Sequence, residues 1–269
     1  MGSAQSSGSG MAGRVRYDAI GVGYSATRRE DPDLRARLHA ALGGARSVVN
    51  VGAGTGSYEP TDRHVIAIEP SDTMSAQRGR HRVPAIRASA DALPLRDRSV
   101  DAAMAVLTIH HWDEGQQRGV RELCRVARDR VVILAFDPEV VAEMWLVRDY
   151  MPEVADLDRR TAPSLGTLTG WLDGEVSVES IPISRGTPDW TLMSFWAHPE
   201  RVLDPEARNG TSGFARLSGD TVQRVVTNVS AALTSGQWDA RHGHLRNQTE
   251  YDGGLRLIVA QLATPATSE

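Results

Sequence analysis

Val48-Val49-Asn50-Val51-Gly52-Ala53-Gly54-Thr55-Gly56 runs from a β-branched stretch into three glycines at alternate positions. The apolar run predicts a short strand buried on both faces. Glycines just beyond it let backbone approach a ligand closely, and a helix beginning there offers free N–H groups to it. A nucleotide-linked ligand suits such a turn, although a bare Gly-rich turn after a strand would carry the same residues. Dinucleotide sites use G-x-G-x-x-G, which would need a glycine at Ser57; here the spacing is G-x-G-x-G.

Outward from this turn, strands are predicted at Val65 to Ile68, weakly at Val83 to Ala88, at Val100 to Leu107 and at Val131 to Phe136. Helical patterns separate them. Ser71 to Gly79 is one, and Glu114 to Arg128 another, with Val120, Leu123, Cys124 and Ala127 on one face. Asp31-Pro32 caps an amphipathic helix bearing Leu34, Leu38, Ala41 and Leu42 and ending at Gly43-Gly44. Such alternation predicts a doubly wound α/β fold whose ligands lie beyond the carboxyl ends of the strands.

After Asp137 the rhythm changes. Pro138 to Pro152 and Leu165 to Leu172 read as helices, Val176 to Ile183 as an alternating strand, and Leu255 to Gln261 as a last strand after Gly253-Gly254. Between the late strands, Asp189 to Gly236 reads as a long, largely helical stretch punctuated at Pro199, Pro205 and Gly210. The expectation is a final antiparallel hairpin whose connection has grown into a lid.

Composition sets the remaining bounds. With 41% hydrophobic and 24% charged residues, the 269-residue chain has material for one domain with an insertion. A net charge of −4 excludes the basic footprint of a nucleic-acid binder. The single cysteine, Cys124, excludes an internal disulfide and a cysteine-based zinc site, and its helical position predicts burial. No run approaches a membrane span. Residues 1–10, MGSAQSSGSG, read as a disordered tag or linker, and a cytoplasmic protein, monomer or homodimer, is the expectation.

Two further signals join the glycine turn. The second strand ends at Glu69-Pro70, where a carboxylate can accept from both ribose hydroxyls of an adenosine and matches a hydroxyl pair better than a 2′-phosphate. After the third strand, Asp91 in Ala90-Asp91-Ala92 can accept from an adenine amino group, or simply cap a helix. Together, over Tyr17 to Asp137, these elements resemble the class I S-adenosylmethionine (SAM) methyltransferases, specifically their small-molecule (type 11) branch. The resemblance implies a mostly parallel, seven-stranded, Rossmann-like sheet with helical lid insertions. Its SAM-binding core would span residues 11–137 with an opening helix, and residues 138–269 would complete the sheet and hold the lid at about 189–249. SAM would be the cofactor and S-adenosylhomocysteine (SAH) the product.

It further implies that Gly52, Ala53 and Gly54 line the methionine and ribose part, that Glu69 and Pro70 face the ribose, that Met74 packs near the adenine, and that Ala90, Asp91 and Ala92 hold the base. Leu107, ending the fourth strand, would also border the cofactor. Tyr24 and Arg28 would lie near the methionine carboxylate, with Tyr17 beside the acceptor. Many relatives carry an acid where Asn50 stands; an amide there can still bond to the turn or to the cofactor's ammonium, with altered affinity.

On the acceptor side, His110 or His111 after the fourth strand can take a proton from a hydroxyl or amine, and Asp137 after the fifth can orient the histidine or bind the acceptor. Methyl transfer needs little beyond alignment. Adjacent histidines point apart and make no metal site, and His242 and His244 read as a solvated loop. Trp112, Trp145, Arg148, Tyr150, Trp190, Phe195 and Trp196 offer aromatic and polar walls for an organic acceptor, or the core of a helical lid. The expected reaction is methyl transfer to a small molecule, on O or N in preference to C, in specialised-metabolite biosynthesis. Alternatives are a non-methylating enzyme of the same fold, such as a cyclase or isomerase; an NAD-dependent oxidoreductase; and an interaction module with a degenerate turn.

Overall fold

A computed structural model describes residues 29–263. Helix α1 (Pro32–Ala41) starts where the sequence caps it: Asp31 Oδ1 accepts from the backbone N–H of Asp33 at 3.0 Å and of Leu34 at 3.3 Å, with Pro32 in the first turn. Leu34 and Leu38 face inward. Strands β1 (Ser47–Val51) and β2 (His64–Ile68) follow, then α2 (Asp72–Ala76), β3 (Ala85–Ile86), β4 (Val100–Val106), α3 (Gln116–Val126) and β5 (Ala127–Phe136). All five strands pair in parallel. Cys124 is buried on α3 as its spacing predicts, and burial pushes its thiol pKa up.

The predicted helix over 138–152 is broken. It consists of α4 (Pro138–Glu143), α5 (Trp145–Tyr150) and the start of α6 (Pro152–Thr161), with extended backbone at Met144. Pro152 opens a new helix because its ring cannot continue the previous one. Helix α7 (Leu165–Gly170) leads to β6 (Glu175–Ser180).

The predicted strand over 176–183 also divides. Pro182 lacks a ladder donor, so β6 stops at Ser180 and β7 (Ile183–Ser184) belongs to a separate two-stranded sheet. The stretch after Asp189 forms 3-10 turns at Leu192–Ala197 and Pro199–Leu203, then α8 (Pro205–Asn209), α9 (Ser212–Ala215), α10 (Gly219–Thr234) and α11 (Gln237–His242). Pro199 and Pro205 each begin an element. Strand β8 (Glu250–Tyr251) pairs with β7 and closes this excursion, and β9 (Leu255–Gln261) completes the main sheet.

The main sheet has seven strands in the order β3-β2-β1-β4-β5-β9-β6, with β9 antiparallel to both neighbours. One hydrophobic cluster covers each face. Strand order reverses between β1 and β4, so their carboxyl ends frame the crevice where ligands of doubly wound sheets bind. Among the described residues, no helix is long and apolar enough to cross a membrane.

Candidate active site at the β1–β4 crevice

The glycine turn is built on left-handed backbone. Gly52, Gly54 and Gly56 have φ of 70°, 50° and 94°, values that L side chains resist. A Cβ at Gly52 would come within 2.8 Å of Thr108 Cβ and closer to its hydroxyl, so this glycine lets the ends of β1 and β4 meet. The N–H groups of Gly52 and Ala53 both donate to the Ile68 carbonyl at 2.9 Å, tying the turn to β2.

Glu69 lies directly beyond. It is 6% exposed, and its oxygens accept from Gly54 N–H at 2.7 Å and Ser71 N–H at 2.8 Å. Burial raises its carboxyl pKa; the two backbone N–H groups and the Arg78 charge oppose that rise. A carboxylate offers about four acceptor sites, so two remain for a ligand's donors. Ser71 caps α2, and Met74 on that helix is buried with its methyl 3.3 Å from where a Gly54 Cβ would stand.

Asn50, 2% exposed, donates from Nδ2 to Glu59 at 3.0 Å. That bond orients the amide, and its Oδ1 has no hydrogen-bond partner among the described residues. A buried acceptor of this kind suits a ligand N–H, ammonium included.

The Ala90-Asp91-Ala92 segment forms a turn, and the helix cap that Asp91 might have provided is absent among the described residues. Asp91 instead accepts from the Ser89 hydroxyl at 2.6 Å. Trp112, expected on the acceptor side, packs over Gly119 of α3 next to Ala90. That places it against the Ala90–Ala92 turn.

The fourth strand ends at Val106, and Leu107 adopts φ 49°. His110 and His111 ride on the 3-10 turn Ile109–His111, half-buried, their rings 3.7 Å apart. His110 meets Phe136 edge-on at 5.0 Å and lines a small cavity of about 10 Å³ with Leu107, Phe136 and Pro163. Leu107 also borders a cavity of about 110 Å³, walled by Asp31, Ile183, Asp189, Met193 and Leu255. Asp137, expected to orient a histidine or bind the acceptor, caps α4, accepting from Glu139 N–H at 3.1 Å.

A protein-family model for a methyltransferase domain matches residues 49–135, the span holding the glycine turn, Glu69, Asp91 and both histidines. Residues 49–135 are thus similar to a methyltransferase domain, and the seven-stranded, mostly parallel sheet has the class I methyltransferase, Rossmann-like fold.

Solved structures support the same fold. A candidate methyltransferase from an antibiotic biosynthesis pathway of Anabaena variabilis is 29% identical with a TM-score of 0.80, the match covering 88% of this chain and 99% of that one. A 4+2 cyclase is 15% identical with a TM-score of 0.57, covering 97% and 100%. A Haemonchus contortus phosphoethanolamine N-methyltransferase, solved with phosphomonomethylethanolamine and SAH, is 12% identical with a TM-score of 0.56, covering 93% and 60%. No curated protein sequence matches the chain.

Tyr17, Tyr24 and Arg28 lie outside the described residues. Of the other expected walls, Trp145 and Trp196 are packed inside the helical layer, where Trp145 Nε1 donates to the Trp196 carbonyl at 2.9 Å. Phe195 is equally enclosed. Neighbouring rings pack against all three. Trp190 is half-buried beneath the Arg201 guanidinium, Tyr150 half-buried against Trp145, and Arg148 is exposed and paired with Asp149.

His242, expected in a solvated loop, is buried instead. It bonds Asp149 at 2.9 Å between Trp145 and Trp238, while His244 is exposed. Glu59 and Arg78, which no sequence motif marks, form a fully buried ion pair at 2.8 Å beneath the glycine turn.

Proposed function

We propose that the chain transfers a methyl group from SAM to a small-molecule acceptor, on O or N, in specialised-metabolite biosynthesis. The observation that carries this reading is a buried carboxylate, Glu69, holding the glycine turn by one N–H while keeping acceptor sites for a hydroxyl pair, one strand from a histidine turn. The likeness to the Anabaena protein supports the biosynthetic context.

The residues suit SAM. Gly52 and Gly54 keep the crevice free of side chains, Glu69 accepts from the ribose, Asn50 Oδ1 accepts from the ammonium, and Met74 with the Ala90–Ala92 turn flanks the base. When bound, SAM supplies an activated methyl on sulfonium. The protein's own work is to align the acceptor and to receive its proton, for which His110 or His111 stands at the end of β4 beside two cavities that meet at Leu107. The helical excursion between β7 and β8 walls the larger cavity through Met193.

Incubation of the protein with SAM and candidate hydroxyl- or amine-bearing acceptors tests the reading. Release of one SAH per methylated product is the expected result. A rearranged product formed without SAH release would move the assignment to a non-methylating enzyme of this fold.

A further inference from the structure

Arg78 and Glu59 are the most deeply buried ion pair of the described residues, at 4% and 2% side-chain exposure. Burying two charges needs a compensating role, because the desolvation cost of such a pair can match its Coulombic gain. Arg78 Nη2 bonds both Glu59 oxygens, at 2.9 and 2.8 Å, while Nη1 donates to the carbonyls of Gly54 at 3.1 Å and Ala53 at 3.4 Å. Glu59 in turn receives Asn50 Nδ2 at 3.0 Å, and its backbone carbonyl receives Arg82 Nη1 at 2.8 Å.

The carbonyl of Ala53 and the N–H of Gly54 belong to one trans peptide and point in opposite directions. Arg78 grips the carbonyl end and Glu69 the N–H end. The second carbonyl held by Arg78 fixes the next peptide in the same way.

We infer that Arg78, held by Glu59, is a positioning residue for the cofactor: it clamps the glycine turn from behind and so sets the orientation of the Gly54 N–H that holds Glu69 on the ligand side. The inference rests on the SAM reading above. Lysine cannot replace the arginine, since one ammonium cannot span two carbonyls and a carboxylate in this fork geometry. Arg78 is the only charged side chain among the described residues found to act on Glu69, and it favours the ionised form. Its removal therefore changes how proton concentration affects binding, as well as loosening the turn.

Calorimetric titration of the full chain with SAH across pH 5–8 tests this on wild type, Arg78→Met, Arg78→Lys and Arg216→Met. The last breaks a comparably buried pair with Asp158 in the helical layer, which touches neither Glu69 nor the glycine turn's carbonyls, and controls for lost stability. Arg78→Met is expected to bind at least about tenfold more weakly at neutral pH. Its affinity should begin to fall at a higher pH than in wild type as acid is added. Arg78→Lys should keep the wild-type pH profile with several-fold weaker binding, and it carries the test if Arg78→Met does not fold. Arg216→Met should keep wild-type affinity and profile. Wild-type affinity with an unchanged profile in the Arg78 variants, or an equal loss in Arg216→Met, overturns the inference. Failure of the wild type itself to bind SAH would overturn the cofactor reading instead.

Discussion

Replacing Glu69 with Gln leaves its size and shape unchanged but alters its hydrogen-bonding capacity. The carboxylate presents about four acceptor sites, and two are filled by Gly54 and Ser71 N–H at 2.7 and 2.8 Å. Two remain, the number an adenosine ribose can use. A Gln amide has one oxygen with two sites. One must stay with a backbone N–H, and the NH2 group then faces the other N–H, donor against donor. At best one ligand hydroxyl is still received, and by a neutral group. Losing one charge-assisted bond and weakening a second costs about 2–4 kcal/mol of binding, or a roughly 30- to 1,000-fold rise in Kd. Calorimetry with SAH on folded Glu69→Gln gives the value directly. An analogue lacking a ribose hydroxyl should lose affinity for wild type and lose little further for the variant. Binding of Glu69→Gln within threefold of wild type would refute the two-site reasoning. Protonation should act in the same direction: burial raises the Glu69 carboxyl, ligand hydroxyls favour its ionised form, and SAH affinity should fall as pH drops through that raised value. In the free protein the sign is opposite, since stability contributed by the protonated carboxyl is present below its ordinary pKa and lost as pH rises through the raised one.

Gly52→Ala forces an L residue into φ 70° and drives its methyl into Thr108; strain of about 1–2 kcal/mol and overpacking of about 1–3 kcal/mol should lower Tm by roughly 5–15 °C, and Thr108→Ala should recover part of it. Asp101 accepts from Arg46 and Ser47 N–H, both at 2.9 Å. Desolvation pushes its carboxyl up, but these bonds, with Ser47 and Arg128 side chains, outweigh that and bring it down to about 2. Its stabilisation is therefore present above the ordinary carboxylate value and lost as pH falls toward about 2, so the Tm deficit of Asp101→Asn should be full at pH 7 and shrink over that acid range. His110→Ala and His111→Ala should both retain SAH affinity, and one of them should lower turnover by about 10²- to 10⁴-fold; unchanged turnover in both removes the base role.

The sheet was legible because buried parallel strands write themselves as apolar runs, and β1, β2, β4 and β5 all do so. The glycine turn and Glu69 were legible because their spacing along the chain is itself the signal. Glu59 and Arg78 left no such trace: 19 residues separate them, and an ion pair has no periodicity. Distance hid the burial of His242 in the same way, since Asp149 stands 93 residues away. Aromatic residues marked the helical layer correctly but not their own directions. Trp145 and Trp196 turned inward because their neighbours bury them from both sides, and Trp112 turned toward Gly119, the one α3 position without a side chain to block it.

Thermal denaturation with and without SAH tests the central claim most directly. At a ligand concentration a hundred times Kd, binding to the folded chain adds about 2.7 kcal/mol, and Tm should rise by roughly 4–10 °C. SAM should act likewise and NAD should not. A melting curve that stays in place at millimolar SAM and SAH would contradict the account.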